Sequence, residues 1–510
     1  AVSGGDIETV RAAEIVLEAG GNAFDAVLAA MCASCIAEPV LGTLGGGGFL
    51  LARPEGEKPR LYDFFCQTPK HMPPGKEVDL RRITVDFGGA LQDFITGAAT
   101  IATPGILRGL FDIHRDLGSV PIRVVLEPAI SLARDGLTLE AMQAHFLKVI
   151  WPIWGTSADI VRLFADPNDP TRPLGAGDRL TLPEMADALD ALAHEGDDLF
   201  YRGEMGRALV EKTQNAGGLL TRDDLADYRT IIRAPLSIRF GDATIHTNPP
   251  PSSGGILAAF SFAMLDKRIG RTDFGGQDHL SQLVLAMALT DRARSEAAAS
   301  QLSMHDLIER YRSEVAGLPT MTRGTTHMNV IDRHGNAAAL THTNGEGCGL
   351  VVPGTGIVVN NMMGEEDLNR HPYGKWPVDT RLSSMMMPSL VTWDDGREAV
   401  LGSGGSKRIR TSVMQVMLNL IAFGLSPIDA VGAPRLYIDD TDGMLHVEAP
   451  LTEAALDFAR QHVRTVNMWD RKDLYFGGVH VSALDPRTNA LTGAGDPRRG
   501  GVARIAGNKA

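Results

Sequence analysis

Gly324-Thr325-Thr326-His327-Met328-Asn329-Val330-Ile331, then Asp332-Arg333-His334-Gly335, then Asn336-Ala337-Ala338-Ala339-Leu340-Thr341-His342-Thr343, is the stretch whose reading decides the fold. His327–Ile331 and Ala337–Thr343 are short β-prone runs, and the polar Asp-Arg-His-Gly between them reads as a hairpin turn. Thr341 and Thr343 stand two residues apart on the second run, so their side chains share one face. A glycine before a threonine means little alone. Its neighbours give it weight: Ser383-Ser384 follow Arg381-Leu382, and Gly402-Ser403-Gly404-Gly405-Ser406 ends a further strand-like run. A glycine cluster at a strand end can aim backbone N–H groups at an oxyanion.

Outward from the hairpin the pattern divides. Downstream, Val351–Asn360, Ser389–Thr392 and Val400–Gly402 continue the strand signal, and helices return at Thr411–Phe423 and Pro427–Val431. Upstream the chain reads mostly helical. Ile7–Ala19 is amphipathic and closed by Gly20-Gly21, and Ala23–Ala37 is apolar throughout. The run Gly45–Gly48 leads into a strand at Phe49–Ala52. Helical segments follow at Gly105–Leu117, Val124–Asp135, Leu182–His194 and Gly206–Asn215, and Thr221 reads as an N-cap before Asp223 and Asp224. A strand-rich piece, Leu236–Thr247, runs into Pro249–Gly255 and a helix at Ile256–Leu265. Strands packed between helices make the expected class α+β.

Composition narrows the function. The 510 residues carry 49 basic and 62 acidic side chains, a formal charge of −13. That balance argues against a nucleic-acid partner, whose phosphates demand a basic face. Hydrophobic residues make up 44% and charged residues 22%, the proportions of a globular chain. No window approaches the ~18 apolar residues of a membrane span, so no membrane partner is expected. Four cysteines make no disulfide scaffold, and Cys32-x-x-Cys35 falls inside an apolar helix, so it reads as a buried structural pair. The four-glycine run lacks the Lys-Ser/Thr of a phosphate-binding loop. The 14 histidines are scattered without metal-ligand spacing, and neither a metal nor a cofactor is expected. No signal peptide opens the chain, which would be cytoplasmic if complete.

Together the ordered motifs resemble the γ-glutamyltranspeptidase family of N-terminal-nucleophile hydrolases. They are Gly20-Gly21-Asn22-Ala23, Gly45–Gly48, Pro104-Gly105, Leu132–Gly136, Gly217-Gly218-Leu219, Pro249–Gly255, Thr325–His327, Arg381–Ser384, Gly402–Gly405, Ala433-Pro-Arg435 and Asp496–Arg499. The resemblance implies a four-layer αββα sandwich built as one structural unit, although length alone suggests about three domains. It implies a proenzyme that cuts its own Gly324–Thr325 bond into a large subunit, 1–324, and a small catalytic subunit, 325–510. Family members are often periplasmic or secreted. Their two fragments stay together, and the family expectation extends to a dimer of heterodimers.

By the same resemblance Thr325 is nucleophile and, through its freed α-amine, general base. An α-amine has a reference pKa of ~7.7–8.0, close to working pH. Thr343 orients Thr325, and Gly404 and Gly405 supply oxyanion-hole amides. Ser383, Ser384 and Thr341 belong to the substrate-binding set, and Glu365 is the candidate partner for a donor ammonium. His327 corresponds to a structural position. Gly324 is expected to tolerate the unusual backbone that cleavage requires.

Three positions depart from the family. Phe65 stands where members carry the arginine that grips the donor carboxylate, and an apolar wall replaces it. Gly345 stands where the family has an asparagine, with Asn344 beside it on the alternate face unless the strand bulges. The stretch from Asn361 to Arg381 looks short for a lid loop, which predicts an open site with water favoured as acceptor. Arg370, Lys375 and Lys407 are the cations nearby in sequence. The leading expectation is therefore a self-processing amide hydrolase of γ-glutamyl (glutathione-like) or related acyl amides. The alternatives are an acylase or small oxo-acid amide hydrolase with another donor, and an inactive homologue acting as a scaffold.

Overall fold

The computed structural model describes all residues except 73–76, 87–90, 266–268, 301–323, 366–375, 440–442, 450 and 508–510. Thirteen strands form its two main sheets. In chain order they are β1 (Val2–Gly4), β2 (Gly47–Arg53), β3 (Arg60–Phe64), β4 (Ile231–Arg233), β5 (Leu236–Phe240), β6 (Ala243–Thr247), β7 (Thr326–Ile331), β8 (Ala337–Thr343), β9 (Ser389–Trp393), β10 (Glu398–Gly404), β11 (Gly478–Asp485), β12 (Ala490–Ala494) and β13 (Val502–Arg504).

The first sheet has the order β4-β3-β2-β8-β7-β1-β13 and the second β5-β6-β9-β10-β11-β12, with all neighbours antiparallel. Side-chain alternation sets the layers. On β2, Leu50 and Ala52 enter the core beneath the N-terminal helices, while Phe49 and Leu51 enter the core between the sheets. On β8, Ala338 and Leu340 face the helices, and Ala337 and Ala339 face the second sheet. β7 and β8 lie against β10 and β11 across that interior.

Helices close both outer faces. α1 (Ile7–Glu18) and α2 (Ala23–Ala37) cover the first sheet; α3 (Ser253–Met264) and α4 (Arg408–Ile421) cover the second. The result is the αββα sandwich. α2 starts at a capping box, in which Asn22 and Asp25 each satisfy the other's backbone N–H. All fifteen of its residues are buried, and each large apolar side chain is worth ~1.5–3 kcal/mol on burial. Cys32 and Cys35 are free, buried thiols in this helix, and burial pushes the Cys32 thiol up to about 12. Both therefore stay protonated, as a structural pair should.

The hairpin turn is pinned to α2. Asp332 accepts from the N–H groups of His334 (2.9 Å), Asn336 (3.1 Å) and Ala23 (3.0 Å). The expected strand at Val351–Asn360 is corrected: only isolated bridges form there, Val351 to Val358 and Gly45 to Val359. Pro353 has no N–H for a ladder, and Gly354 and Gly356 take φ of +71° and +66°, turning the chain back on itself. Leu236–Thr247 is two strands, β5 and β6, reversed at Gly241-Asp242. The strands at Val2–Gly4, Arg60–Phe64 and Ile231–Arg233 went unread because three to five residues carry too little periodicity.

Candidate active site

Thr325 stands at the entrance of β7, where the first sheet meets the end of β10. It is buried, as are Thr343 and Glu365. The Thr325 hydroxyl donates to the Gly324 carbonyl at 2.7 Å, and the Thr343 hydroxyl donates to the same oxygen at 2.6 Å. The Gly345 N–H donates to Thr343 Oγ1 at 3.0 Å, which leaves that hydroxyl's proton directed at Gly324. Two hydroxyls thus converge on the one peptide carbonyl preceding Thr325.

Gly324 is not in the left-handed region. The expectation of an unusual backbone there gives way to one of space: a Cβ would stand 2.9 Å from the Val40 carbonyl and 3.1 Å from that of Gly345. Gly404 closes the other side, and a side chain on it would collide with the Thr325 carbonyl oxygen. Gly405 follows with φ +121°, a conformation open to glycine. Behind both glycines lies the guanidinium of Arg499, 3.2 Å from either notional Cβ.

Phe65, Gly324, Thr325, Thr343, Glu365, Ser384, Met385, Met386, Ser406 and Ile409 enclose a cavity of about 30 Å³. That is room for roughly two waters. The cavity gathers most of the sequence-derived candidates, but not all. Thr341 lies beneath His327, taking Nδ1 at 2.7 Å, and does not reach the cavity. Ser383 is paired with Ser253 (3.2 Å), whereas Ser384 lines the space and receives the Met386 N–H at 3.0 Å. Met385, Met386, Ser406 and Ile409 were missed. The Met385-Met386-Met387 run was the visible signal for an adaptable apolar wall.

The histidines are fixed in structural roles. His327 is held by Thr341 and by Asn329 (2.8 Å), and His342 by Ser34 (2.8 Å). Burial pushes both down to about 3, for His327 with help from His480 and His342. Both are neutral imidazoles at neutral pH, and among the described residues no histidine lines the cavity.

The departures also have addresses. Phe65 is fully buried and stacks on Phe49 with ring centroids 5.3 Å apart. No lysine or arginine lines the cavity among the described residues. Arg381 passes behind Phe65 instead, donating to its carbonyl, to the Tyr228 hydroxyl and to the Arg229 carbonyl. Lys407 is buried and lies off the cavity; Glu366, Asp367, Arg370 and Lys375 fall outside the described residues. Gly345, at φ +67°, leaves its missing side chain's space to Asn361 Oδ1 and Glu365 Oε1, which any Cβ would strike. No group of three potential metal ligands occurs among the described residues.

A sequence model of the gamma-glutamyltranspeptidase family matches residues 9–506. The chain belongs to the gamma-glutamyltranspeptidase family. Within this family it is 29% identical to the glutathione hydrolase proenzyme of Escherichia coli strain K12, over 95% of this chain and 87% of that protein. It is 32% identical to the acylase ACY 1 proenzyme of Pseudomonas sp. strain SE83, over 94% and 88%. Its fold matches the crystal structure of cephalosporin acylase from Bacillus halodurans with a TM-score of 0.83 at 24% identity, covering 98% of this chain and 94% of that one.

Proposed function

We propose that the chain is a self-processing amide hydrolase in which Thr325 is first the agent of its own release and then the nucleophile. The observation that carries this is the convergence of the Thr325 and Thr343 hydroxyls on the Gly324 carbonyl. In the first step Thr325 Oγ adds to the Gly324 carbonyl carbon, and the C–N bond breaks as the proton passes to nitrogen. Gly324 is left as an ester on Oγ. Water hydrolyses the ester, giving the Gly324 carboxylate, the free hydroxyl and a free Thr325 amine. In the second reaction that amine takes the Oγ proton as Oγ adds to an amide substrate, and passes it to the departing amine; water then cleaves the acyl ester and restores the hydroxyl. Gly404 and Gly405, with Arg499 behind them, are the proposed donors to the oxyanion. No histidine need take part.

The products are fragments of 324 and 186 residues. Denaturing electrophoresis with N-terminal sequencing tests the reading: the smaller fragment should begin at Thr325, and a single uncut band would overturn it. Thr343→Val should slow processing on the order of 10²-fold, the usual cost of one lost oxyanion-type donor. Time courses of band conversion measure it, and processing at the parent rate would remove Thr343 from the mechanism.

The substrate class we propose is an acyl amide whose acyl arm lies against Phe65, Met385, Met386 and Ile409, with Glu365 at its edge, the adaptable methionines moving to enlarge the two-water cavity. γ-Glutamyl compounds belong to this class, and relatives named glutathione hydrolase support them. The acylase reading is favoured by Phe65, because an apolar wall stands where a donor carboxylate would need a cation. Kinetics on chromogenic anilides separate the two. Phe65→Arg should shift the ratio of kcat/KM for γ-glutamyl over simple acyl anilide upward by about tenfold or more, the worth of one charge-assisted contact. An unchanged ratio would exclude Phe65 from donor selection.

A further inference from the structure

The face of β7 opposite Thr325 carries a group that the chemistry above leaves unused. Strand alternation sends Thr326 toward the helices, where its hydroxyl lies 3.0 Å from Glu38 Oε1. Thr9 Oγ1 holds the other oxygen, Glu38 Oε2, at 3.0 Å. Glu38 caps the C-terminus of α2 and is 1% exposed. Gly5 seals the contact from the α1 side; a side chain there would strike Glu38 Oε1 and stand 3.3 Å from Thr326 Oγ1.

What faces this carboxyl is mostly another acid. Asp6, the N-cap of α1, is buried beside it, with Glu8 and Glu140 beyond. Cys35 lies on its own helix, and His342 on β8 is neutral and bonded to Ser34. Among the described residues the cation that acts on it is Arg499, which backs Gly404 and Gly405. Neither Glu38 nor Asp6 makes an ion pair among the described residues. Burial first, then the charge of Asp6, pushes Glu38 up to about 8. The Thr326 and Thr9 hydroxyls each donate to one oxygen of Glu38, contacts that favour the charged form, but burial and Asp6 outweigh them.

We propose that Glu38 is a positioning residue for Thr325: its carboxyl clamps Thr326 and so fixes the adjoining nucleophile, and the buried charge it takes on when ionised disarms the site. Anionic Glu38 would set a buried negative charge beside the Arg499 and Gly404 region, opposing the oxyanion that forms there. The inference rests on reading Thr325 as the nucleophile.

The test is the pH profile of kcat for the processed enzyme on a chromogenic acyl anilide between pH 6 and 10. Release of the amine proton gives a rising limb, and Glu38 adds a falling limb centred near pH 8. Glu38→Gln, which copies the neutral acid, should keep activity at pH 7 within about twofold and lose the falling limb alone. A parent profile that stays flat to pH 10, or a Glu38→Gln profile that still falls, overturns the proposal. Thr326→Val tests the clamp with the carboxyl in place. It should lower kcat at pH 7 by about tenfold with an unchanged circular dichroism spectrum, and a parent-like kcat overturns it. Glu38→Ala, with neither charge nor partner for Thr326, should show the Thr326→Val loss without the falling limb. A parent chain that is never cut overturns the Thr325 reading and this proposal together; a cut chain with an insensitive falling limb overturns this proposal alone.

Discussion

Thr325→Ala is expected to run as one band at full length under denaturing conditions and to hydrolyse no acyl anilide above background. The reason is economy of parts. On the proposed mechanism one oxygen performs both reactions, so removing it removes the attack on Gly324, the release of the amine and the acyl-enzyme at once. Groups that act as a unit do not lose activity by halves, and deletion of a nucleophile costs at least about 10⁴-fold. The change should be silent structurally. The threonine loses a hydroxyl that, among the described residues, is bonded to the neighbouring Gly324 carbonyl alone, and that carbonyl keeps the Thr343 hydroxyl as a donor. A matching thermal scan would confirm an intact fold. Thr325→Ser should still be cut, since it keeps the oxygen. A Thr325→Ala chain that is cut at 324 would transfer the chemistry to another group.

Arg498→Met is expected to be the most destabilising single change outside the site. The Arg498 side chain is fully buried, paired with Glu448, itself fully buried, and with Asp496 at 3.2 Å. It also donates to the carbonyls of Val431 (3.0 Å) and Ala433 (2.8 Å). Arg435 completes the cluster by pairing with Asp496 at 2.6 Å. Methionine nearly preserves the volume but leaves two buried carboxylates with one arginine between them. Breaking a buried pair in this way costs about 3–5 kcal/mol, whatever the intact pair contributes. Urea titrations of the two chains measure it, and a loss below about 1 kcal/mol would mean that water reaches the cluster.

The same cluster fixes a pH dependence. Burial alone would raise Asp496, but Arg435 and Arg498 outweigh it and hold the carboxyl below its usual range. Its folded value is therefore depressed, and its contribution is fully present above the ordinary carboxylate value of ~3.9. That contribution is lost as pH falls further, through the depressed folded value.

Much of this was legible from local pattern. The hairpin Thr326–Thr343, the apolar helix α2 and the Thr221 cap each depend on a few consecutive residues, and each formed where the spacing put it. The family motifs at Ala433–Arg435 and Asp496–Arg499 were readable as strings, but not as partners; only the folded chain brings Arg435 onto Asp496. In the site, Thr325, Thr343, Gly404 and Glu365 could be named because they resemble family positions. Thr341 could not be told from Thr343 by alternation, since both share one face. What separates them is His327, which takes Thr341 as its partner. Glu38 was invisible for a different reason. A lone acid at the end of an apolar helix reads as a solvated terminus, and its burial depends on Gly5, Thr9 and Thr326 arriving from elsewhere.

The order β4-β3-β2-β8-β7-β1-β13 interleaves strands from before and after residue 324 in one ladder. β8 and β7 are flanked by β2 on one side and by β1 on the other, and β1 is itself held between β7 and β13. A fragment ending at 324 could leave only by opening several rows of backbone hydrogen bonds together with the interior on both faces. Two cut populations mixed in solution should therefore keep their original pairings, with no hybrids formed short of full unfolding. On the proposed cut at 324, each molecule would inherit its partner at birth, and a defect in one fragment would not be repaired by exchange with another.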